Sequence, residues 1–464
     1  MSSTHDELQT EKNEKYVASR YNYIQEAKDG GWLVYNSLSR KIIEIPLRFK
    51  QKAEKILKGT EGVEINSALK EYRLVKDGFL VKQDYHEGYA AHAQYLKEIG
   101  DSDLGLTIVP TFRCNCRCPY CYQDHEKGMI LGRELQDAII KFIKKNISRY
   151  TGVQISWFGG EPLLCSESIL YMNNEIKKIC AMRYKTFKSS ITSNGYLLSK
   201  GLFEKLLSSG VRRYFITVDG LKDMHDKQRY LADGKGSYER IIRNLEDIKT
   251  IARTKDFIVN IRTNVSKELF VRLEDYVADM SSRFGDDSRF GFFFRPVFDW
   301  GGDSIDGFRD HLLDEKQGFA DIFNKLTESK YDLNYLMHYS DLTQSSICYA
   351  SRINHFVINP DGSINKCTCA DTGGNNLVGQ LLTTGEMELD YGKTGMWSTQ
   401  YLEDSECEKC YLMGQCLKSY CVSGQVLNQT QSKNCYIAKY ACGEILSLLD
   451  KCNAKYHYID EIEL

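Results

Sequence analysis

Cys114, Cys118 and Cys121 stand three and then two residues apart, directly after the apolar run 104–109. Three thiolates can hold three corners of a cubane iron-sulfur cluster and leave the fourth iron open to a ligand that is not protein. A structural zinc ion asks for four protein ligands and usually for paired Cys-x2-Cys knuckles, which this single loop does not supply. Downstream, Val153–Phe158 reads as a buried strand that ends in Gly159-Gly160-Glu161-Pro162. The two glycines allow close backbone approach to a ligand, and Glu161 can accept a hydrogen bond from an ammonium group.

The segment Cys114-Asn115-Cys116-Arg117-Cys118-Pro119-Tyr120-Cys121 resembles the cluster loop of the radical S-adenosylmethionine (radical SAM) enzymes, with Tyr120 at their usual aromatic position. The resemblance implies a 4Fe-4S cluster on Cys114, Cys118 and Cys121. It also implies SAM chelated to the open iron, and a 5'-deoxyadenosyl radical that takes hydrogen from the substrate. Gly159, Gly160 and Glu161 resemble the motif that binds the SAM amino group. The stretch from Thr217 through Asp219-Gly220, His225-Asp226 and Arg229 resembles a segment of anaerobic sulfatase-maturing enzymes, which implies Thr217 on SAM and Arg229 on its carboxylate. A guanidinium fork suits a carboxylate bidentately; otherwise Arg229 is a solvated surface charge. Asn194 and Asn264 are candidates for ribose or adenine contacts, or simply helix caps.

A second cysteine block runs from Cys348 through Cys367 to Cys407, Cys410, Cys416, Cys421 and Cys435. It is similar to the SPASM extension of radical SAM peptide-modifying enzymes, although four residues rather than three separate the pair 416 and 421. The resemblance implies auxiliary cluster I on Cys348, Cys367 and Cys421, and auxiliary cluster II on Cys407, Cys410, Cys416 and Cys435. Two cubanes want eight thiolates. Cys369 could supply the eighth, or that iron stays open for a substrate thiolate. Failing such a role, Cys369 is a small buried hydrophobe, as are Cys116, Cys165, Cys180, Cys442 and Cys452. The turn signal at Asn359-Pro360-Asp361-Gly362 predicts a hairpin over 356–364 that braces the first auxiliary cluster.

Elements must hold these residues in place. Strand-like runs at 189–192, 214–218, 257–262 and 292–294 lead into polar tips at Ser193-Asn194-Gly195, Asp219-Gly220, Thr263-Asn264 and Arg295-Pro296. Helical patterns at 131–150, 202–207, 238–251 and 269–281 alternate with them. Alternation implies a parallel sheet with ligands at its carboxyl edge. The fold class is therefore α/β: a partial (β/α)6 TIM-like barrel over 102–298, a bridging region at 299–344 and a cysteine-rich SPASM domain at 345–455. The segment 17–84 predicts three short strands (21–25, 32–35 and 41–45) with helices at 49–57, 65–72 and 76–81. This pattern resembles the winged-helix-like precursor recognition element of peptide natural-product pathways, and 85–101 reads as a linker with some helix. An exposed edge, the strand 40–45 above all, could take a leader peptide as an added strand; alternatively the unit is a packing domain.

Composition excludes other classes. With 61 basic and 63 acidic residues and a net charge of -2, the chain of 464 residues carries no global field for nucleic acid. No apolar run reaches the ~18 residues of a membrane span, and the polar opening Met1-Ser2-Ser3-Thr4 is no signal peptide. Sixteen cysteines with ten on cluster positions argue for a reducing cytoplasmic compartment. The expectation is a radical SAM peptide maturase with three 4Fe-4S clusters and SAM. It docks the leader of a ribosomally made precursor, takes electrons from a flavodoxin or ferredoxin, and forms cross-links, thioether (sactisynthase-type) bonds first. Carbon-carbon cross-linking is the alternative. So is formylglycine formation in a sulfatase, though Thr368 stands where those enzymes usually carry an aspartate. A zinc-ribbon binding protein is the non-enzyme reading.

Overall fold

A computed structural model describes residues 14–59, 61–65, 70–123, 128–300, 303–314, 316–330, 339–345, 347–399, 405–417, 421–428, 435, 438–451 and 459–461. Cys452 and half of the helix expected at 65–72, residues 66–69, lie outside them. The N-terminal strands are β1 (Lys15–Ala18), β2 (Asn22–Glu26), β3 (Trp32–Asn36), β4 (Lys41–Ile45), β5 (Val63–Glu64) and β6 (Leu80–Lys82). Strands β2, β3 and β4 form an antiparallel meander, while β1 pairs with both β5 and β6 in a second small sheet.

The expected helix at 76–81 is a correction. A helix occupies Tyr72–Lys76, Gly78 adopts φ +81°, and the chain reverses into β6 beside β1. Only glycine takes that conformation without strain, so the helix ends there. The linker expected at 85–101 carries a helix over Glu87–Ile99, whose buried Ala91, Tyr95 and Ile99 recur at helical spacing.

The central sheet begins with six parallel strands in chain order, β7 (Leu104–Ile108), β8 (Gly152–Trp157), β9 (Thr186–Ser193), β10 (Val211–Thr217), β11 (Ile258–Val265) and β12 (Phe290–Pro296). Intervening helices bury one apolar face each; in Tyr238–Lys249 it comprises Ile241, Ile242, Leu245 and Ile248. Ser199 and Ser266 cap the helices Lys200–Ser209 and Lys267–Val271 by accepting from Leu202 N and Leu269 N. Thr263, Asn264 and Arg295, expected in loops, are strand residues, because β11 and β12 pair through to Val265 and Pro296. The outer faces of β7 and β8 carry Leu104, Leu106, Ile108, Val153 and Ile155 in the main core. Their other faces carry Thr107, Gln154 and Ser156, joined by Ser190 and Thr192 of β9, and these line a cavity of about 550 Å³. Parallel strands packed on both sides are apolar throughout, so a polar alternate face marks a lumen.

Four strands extend the sheet beyond β7. Strand β13 (His355–Ile358) pairs parallel with β7, then β14 (Ser363–Asn365), β15 (Leu377–Leu381) and β16 (Met387–Leu389) follow antiparallel. The hairpin expected at 356–364 is β13–β14, with Gly362 at φ +81° in its turn. It is also the seam between the parallel barrel strands and the cysteine-rich segment. A final strand, β17 (Ile459–Glu461), joins β4. Among the described residues no helix is long and apolar enough to cross a membrane.

Candidate functional site

The cysteine loop leaves β7 and is clamped from two sides. On one side Gly160 N donates to Thr111 O (3.1 Å) and Glu161 N to Arg113 O (2.8 Å). A Cβ on Gly160 would sit 2.2 Å from Arg113 O, and one on Gly159, at φ +124°, would sit 2.6 Å from Thr111 O. The glycine pair therefore lets the loop after β8 touch the backbone of the cysteine loop. On the other side Arg117 N donates to Tyr230 O (2.9 Å) and Ala232 N to Asn115 O (2.8 Å).

Glu161 is fully buried. Its Oε1 accepts from Leu163 N (2.9 Å) and Ser193 Oγ (2.8 Å), and its Oε2 from Asn194 N (2.8 Å). The carboxylate thereby staples the loop after β8 to the loop after β9. Burial pushes its pKa up to about 7 against those hydrogen bonds. Asn194 in turn holds Asn115 Oδ1 at 2.7 Å through Nδ2, which lies 3.9 Å from Cys114 Sγ. It forms an Asx turn with Tyr196 N at 3.0 Å rather than capping a helix.

A second network stands over the same loop. Arg229 is buried, which removes the solvated-surface alternative; its Nη1 donates to Tyr120 Oη (2.9 Å) and lies 3.5 Å from Asp219 Oδ2. Tyr120 donates to the same carboxylate, and Asn264 N donates to Asp219 Oδ1 (2.7 Å). Thr217, at the end of β10, is buried two residues before Asp219. His225 Nδ1 accepts from Asp219 N (3.1 Å), its Nε2 meets Ser237 Oγ (3.0 Å), and Ser237 donates to Arg229 O (2.6 Å). Burial and the nearby Arg229 charge lower His225 to about 3, so it stays neutral and holds both ends of the network. Asp219 was read from sequence only as a strand tip; a buried carboxylate that joins Tyr120, Arg229 and Asn264 carries no signature in one chain. Burial lifts the Cys118 thiol to about 12, opposed by the Arg229 guanidinium.

The second cysteine set gathers beside the cavity, which Cys348 lines. Burial raises Cys348 to about 12, and the thiols of Cys421 and Cys369 add to the shift. Cys369 N lies 3.3 Å from Cys367 Sγ, so Cys348, Cys367, Cys369 and Cys421 stand together. Cys369 Sγ lies 3.5 Å from Tyr122 Oη, and Tyr122 directly follows Cys121. Cys348 and Thr368 line the cavity with Trp157 and Phe158, the last residues before Gly159. Tyr122 and Cys369 therefore bring the first cysteine loop and the second set close together. Cys407, Cys410 and Cys435 all act on Lys439, whose Nζ lies 3.5 Å from Cys435 Sγ; Cys416 ends the helix Met413–Cys416 after Cys410. Cys116, Cys180 and Cys442 are buried and Cys165 partly so.

These sites suit iron-sulfur ligation by their donors: the described cysteines are all free thiols, soft ligands grouped in the loops rather than joined in disulfides. Among the described residues no three His, Cys, Asp or Glu side chains close around a single metal ion. Two buried polar atoms beside the first loop, Asn115 Nδ2 and Arg229 Nε, have no partner. Orphaned donors at that position suit an anionic or carbonyl-bearing ligand.

The model of the Radical SAM superfamily matches residues 108–270, from the last residue of β7 through the whole of β11. Among curated proteins, the chain is 26% identical over 174 residues to a probable GTP 3',8-cyclase of Methanocella arvoryzae, covering 37% of this chain and 52% of that protein. It is 28% identical over 215 residues to the radical SAM cyclopropyl synthase TigE of Paramaledivibacter caminithermalis, covering 40% of this chain and 42% of that one. The chain thus spans about half or less of the length of these relatives. The structure of native anSMEcpe with bound AdoMet and Cp18Cys peptide has the same fold at a TM-score of 0.55 and 15% identity, covering 77% of this chain and 98% of that one.

Proposed function

We propose that this chain is a radical SAM peptide maturase that installs cross-links in a ribosomally made precursor, sulfur-to-carbon thioethers first. The observation that carries the reading is the approach of the two cysteine sets, with Cys369 Sγ 3.5 Å from the hydroxyl of Tyr122 next to Cys121, beside a polar-faced cavity that Cys348 and Thr368 help to line. A substrate held there meets a hydrogen-abstracting centre and an electron acceptor at once.

In this reading Cys114, Cys118 and Cys121 hold the first cluster; Cys348, Cys367 and Cys421, with Cys369 as candidate fourth ligand, hold the second; and Cys407, Cys410, Cys416 and Cys435 hold the third. When bound, the first cluster and SAM supply reductive cleavage of a sulfonium and a carbon-centred radical. The remaining work belongs to the chain. Gly159 and Gly160 set the loop that faces the SAM amino group, with Glu161 as its internal brace. Arg229, positioned by Asp219 and His225, offers its guanidinium to the SAM carboxylate, while Tyr120, Asn194, Thr217 and Asn264 frame the nucleoside. Thr107, Gln154, Ser156, Ser190 and Thr192 present hydroxyl and amide groups to a peptide backbone in the lumen.

Thr368 counts against formylglycine formation, since its hydroxyl is 2.7 Å from Tyr349 Oη and is no carboxylate base. The reading includes an electron donor of the flavodoxin or ferredoxin type and a reducing cytoplasmic setting. Mass spectrometry of a short peptide co-expressed from the neighbouring reading frame tests it: each cross-link removes two hydrogen atoms. Tandem fragmentation after cysteine alkylation then separates a thioether from a carbon-carbon bond, and an unchanged mass overturns the reading.

A further inference from the structure

The edge strand that the sequence marks for peptide docking is already taken. Strand β17 lies parallel along the outer edge of β4, with Ile459 opposite Ile42, Asp460 opposite Ile43 and Glu461 opposite Glu44. The other edge of β4 belongs to β3. Neither face of this sheet is open to a ligand. Trp32, Val34, Ile43 and Ile45 point into the N-terminal core. Leu33, Tyr35 and Ile42 belong to the main core, together with Ala441, Ile445 and Leu448 of the helix Ala438–Lys451. A peptide can join this sheet only along an edge strand, β2 on one side or β4 on the other once β17 is lifted, by backbone hydrogen bonds, which is the mode of strand addition.

The occupant is weak by construction. Three paired residues form a strand at the short limit, and parallel pairing is slightly less stable per residue than antiparallel. What favours it is tethering: only seven residues separate it from Lys451, and that helix is fixed to the sheet by Gln25 Nε2 on Ser447 Oγ (2.5 Å). A tether of this length keeps the segment at high effective concentration beside the edge, so modest pairing suffices in cis. The same pairing yields to a longer strand that spans all of β4.

We propose that the outer edge of β4 is a strand-acceptor site and that residues 459–461 are its built-in occupant, displaced when an extended peptide docks. From 459 the sequence reads Ile459-Asp460-Glu461-Ile462-Glu463-Leu464, aliphatic and acidic residues interleaved. An incoming segment of the same chemistry, extended, acidic and punctuated by aliphatic side chains, is the kind of partner the edge takes. The acceptor site itself stands on the strand pairing; that the incoming peptide is the precursor's leader rests on the function proposed above.

The test uses the full chain, cluster-loaded and anaerobic, and a fluorescein-labelled synthetic peptide with the sequence of residues 453–464. In the variant Ile459→Pro/Glu461→Pro the cis segment cannot pair, and fluorescence anisotropy should show saturable binding at least tenfold tighter than to the unaltered chain. The same peptide carrying both prolines should not bind. Asp460→Pro in the chain repeats the experiment should the double variant fail to fold. Equal binding to both chains, no binding to the variant, or undiminished binding of the proline peptide overturns the proposal. Reductive SAM cleavage, measured in parallel, should be the same in variant and unaltered chain. Tail-peptide binding without modification of any co-expressed peptide would sink the maturase reading and leave the acceptor site standing.

Discussion

Glu161→Gln should change the pH dependence of the loop after β8 in a direction fixed by burial. The carboxyl is fully buried and its pKa rises from the ordinary 4.5 to about 7, mainly through desolvation. A raised carboxyl contributes stability that is fully present below 4.5 and is lost as pH climbs through about 7, because the unfolded chain gives up the proton first. At about 1.4 kcal/mol per pH unit, that loss is about 3 kcal/mol. Glutamine has no such slope. It does replace Oε2, which accepts from Asn194 N, by an amide donor, and leaving that N–H unsatisfied costs about 1–3 kcal/mol. At pH 5 the variant should therefore be the less stable of the two, and by pH 8 the difference should vanish or invert. Hydrogen exchange of a fragment spanning residues 193–196, compared at matched pH so that intrinsic rates cancel, reads the gap directly. The variant should exchange about tenfold or more faster at pH 5, and the ratio should approach one at pH 8. A ratio that stays constant across that range would refute the assignment of a buried, protonating carboxyl.

Gly160→Ala should displace the cysteine loop, since the new Cβ would meet Arg113 O at 2.2 Å; overpacking of this kind costs about 1–3 kcal/mol, and iron bound per chain should fall while far-UV circular dichroism holds. Asp219→Asn removes the carboxylate beside the buried Arg229, and a buried charge stripped of its partner costs about 3–5 kcal/mol, readable as a lower thermal midpoint that bound SAM partly restores. Cys369→Ser should lower iron content by less than Cys367→Ser if Cys369 is only the candidate fourth ligand of its cluster; equal losses would make it an obligatory one.

The parts of the fold that follow from local period were legible. Six strands and their helices fell close to their expected places because alternation and apolar spacing are written in consecutive residues. The element 76–81 was misread because helical propensity there yields to Gly78 and to pairing with β1, a partner some sixty residues upstream that no local pattern reveals. The site divides in the same way. Its cysteines and the run Gly159-Gly160-Glu161 declare themselves by spacing, yet their roles depend on what lies opposite. The two glycines lie against Arg113 and Thr111, and Glu161 braces Ser193, neither of which spacing reveals. Asp219 and His225 gain meaning only when β10 and β11 bring Asn264 and Arg229 to the same point. Strand β17 was invisible for the plainest reason: its pairing spans nearly the whole chain.

The central claim is that Cys114, Cys118 and Cys121 hold a cubane whose open iron takes SAM. Anaerobic reconstitution followed by iron and sulfide analysis and a dithionite-driven SAM cleavage assay tests it most directly, on the unaltered chain and on the triple variant Cys114→Ala/Cys118→Ala/Cys121→Ala. The account predicts iron and sulfide for three cubanes with release of 5'-deoxyadenosine, and in the variant the loss of one cubane together with all cleavage. Iron-free protein, or cleavage that survives in the variant, would contradict it.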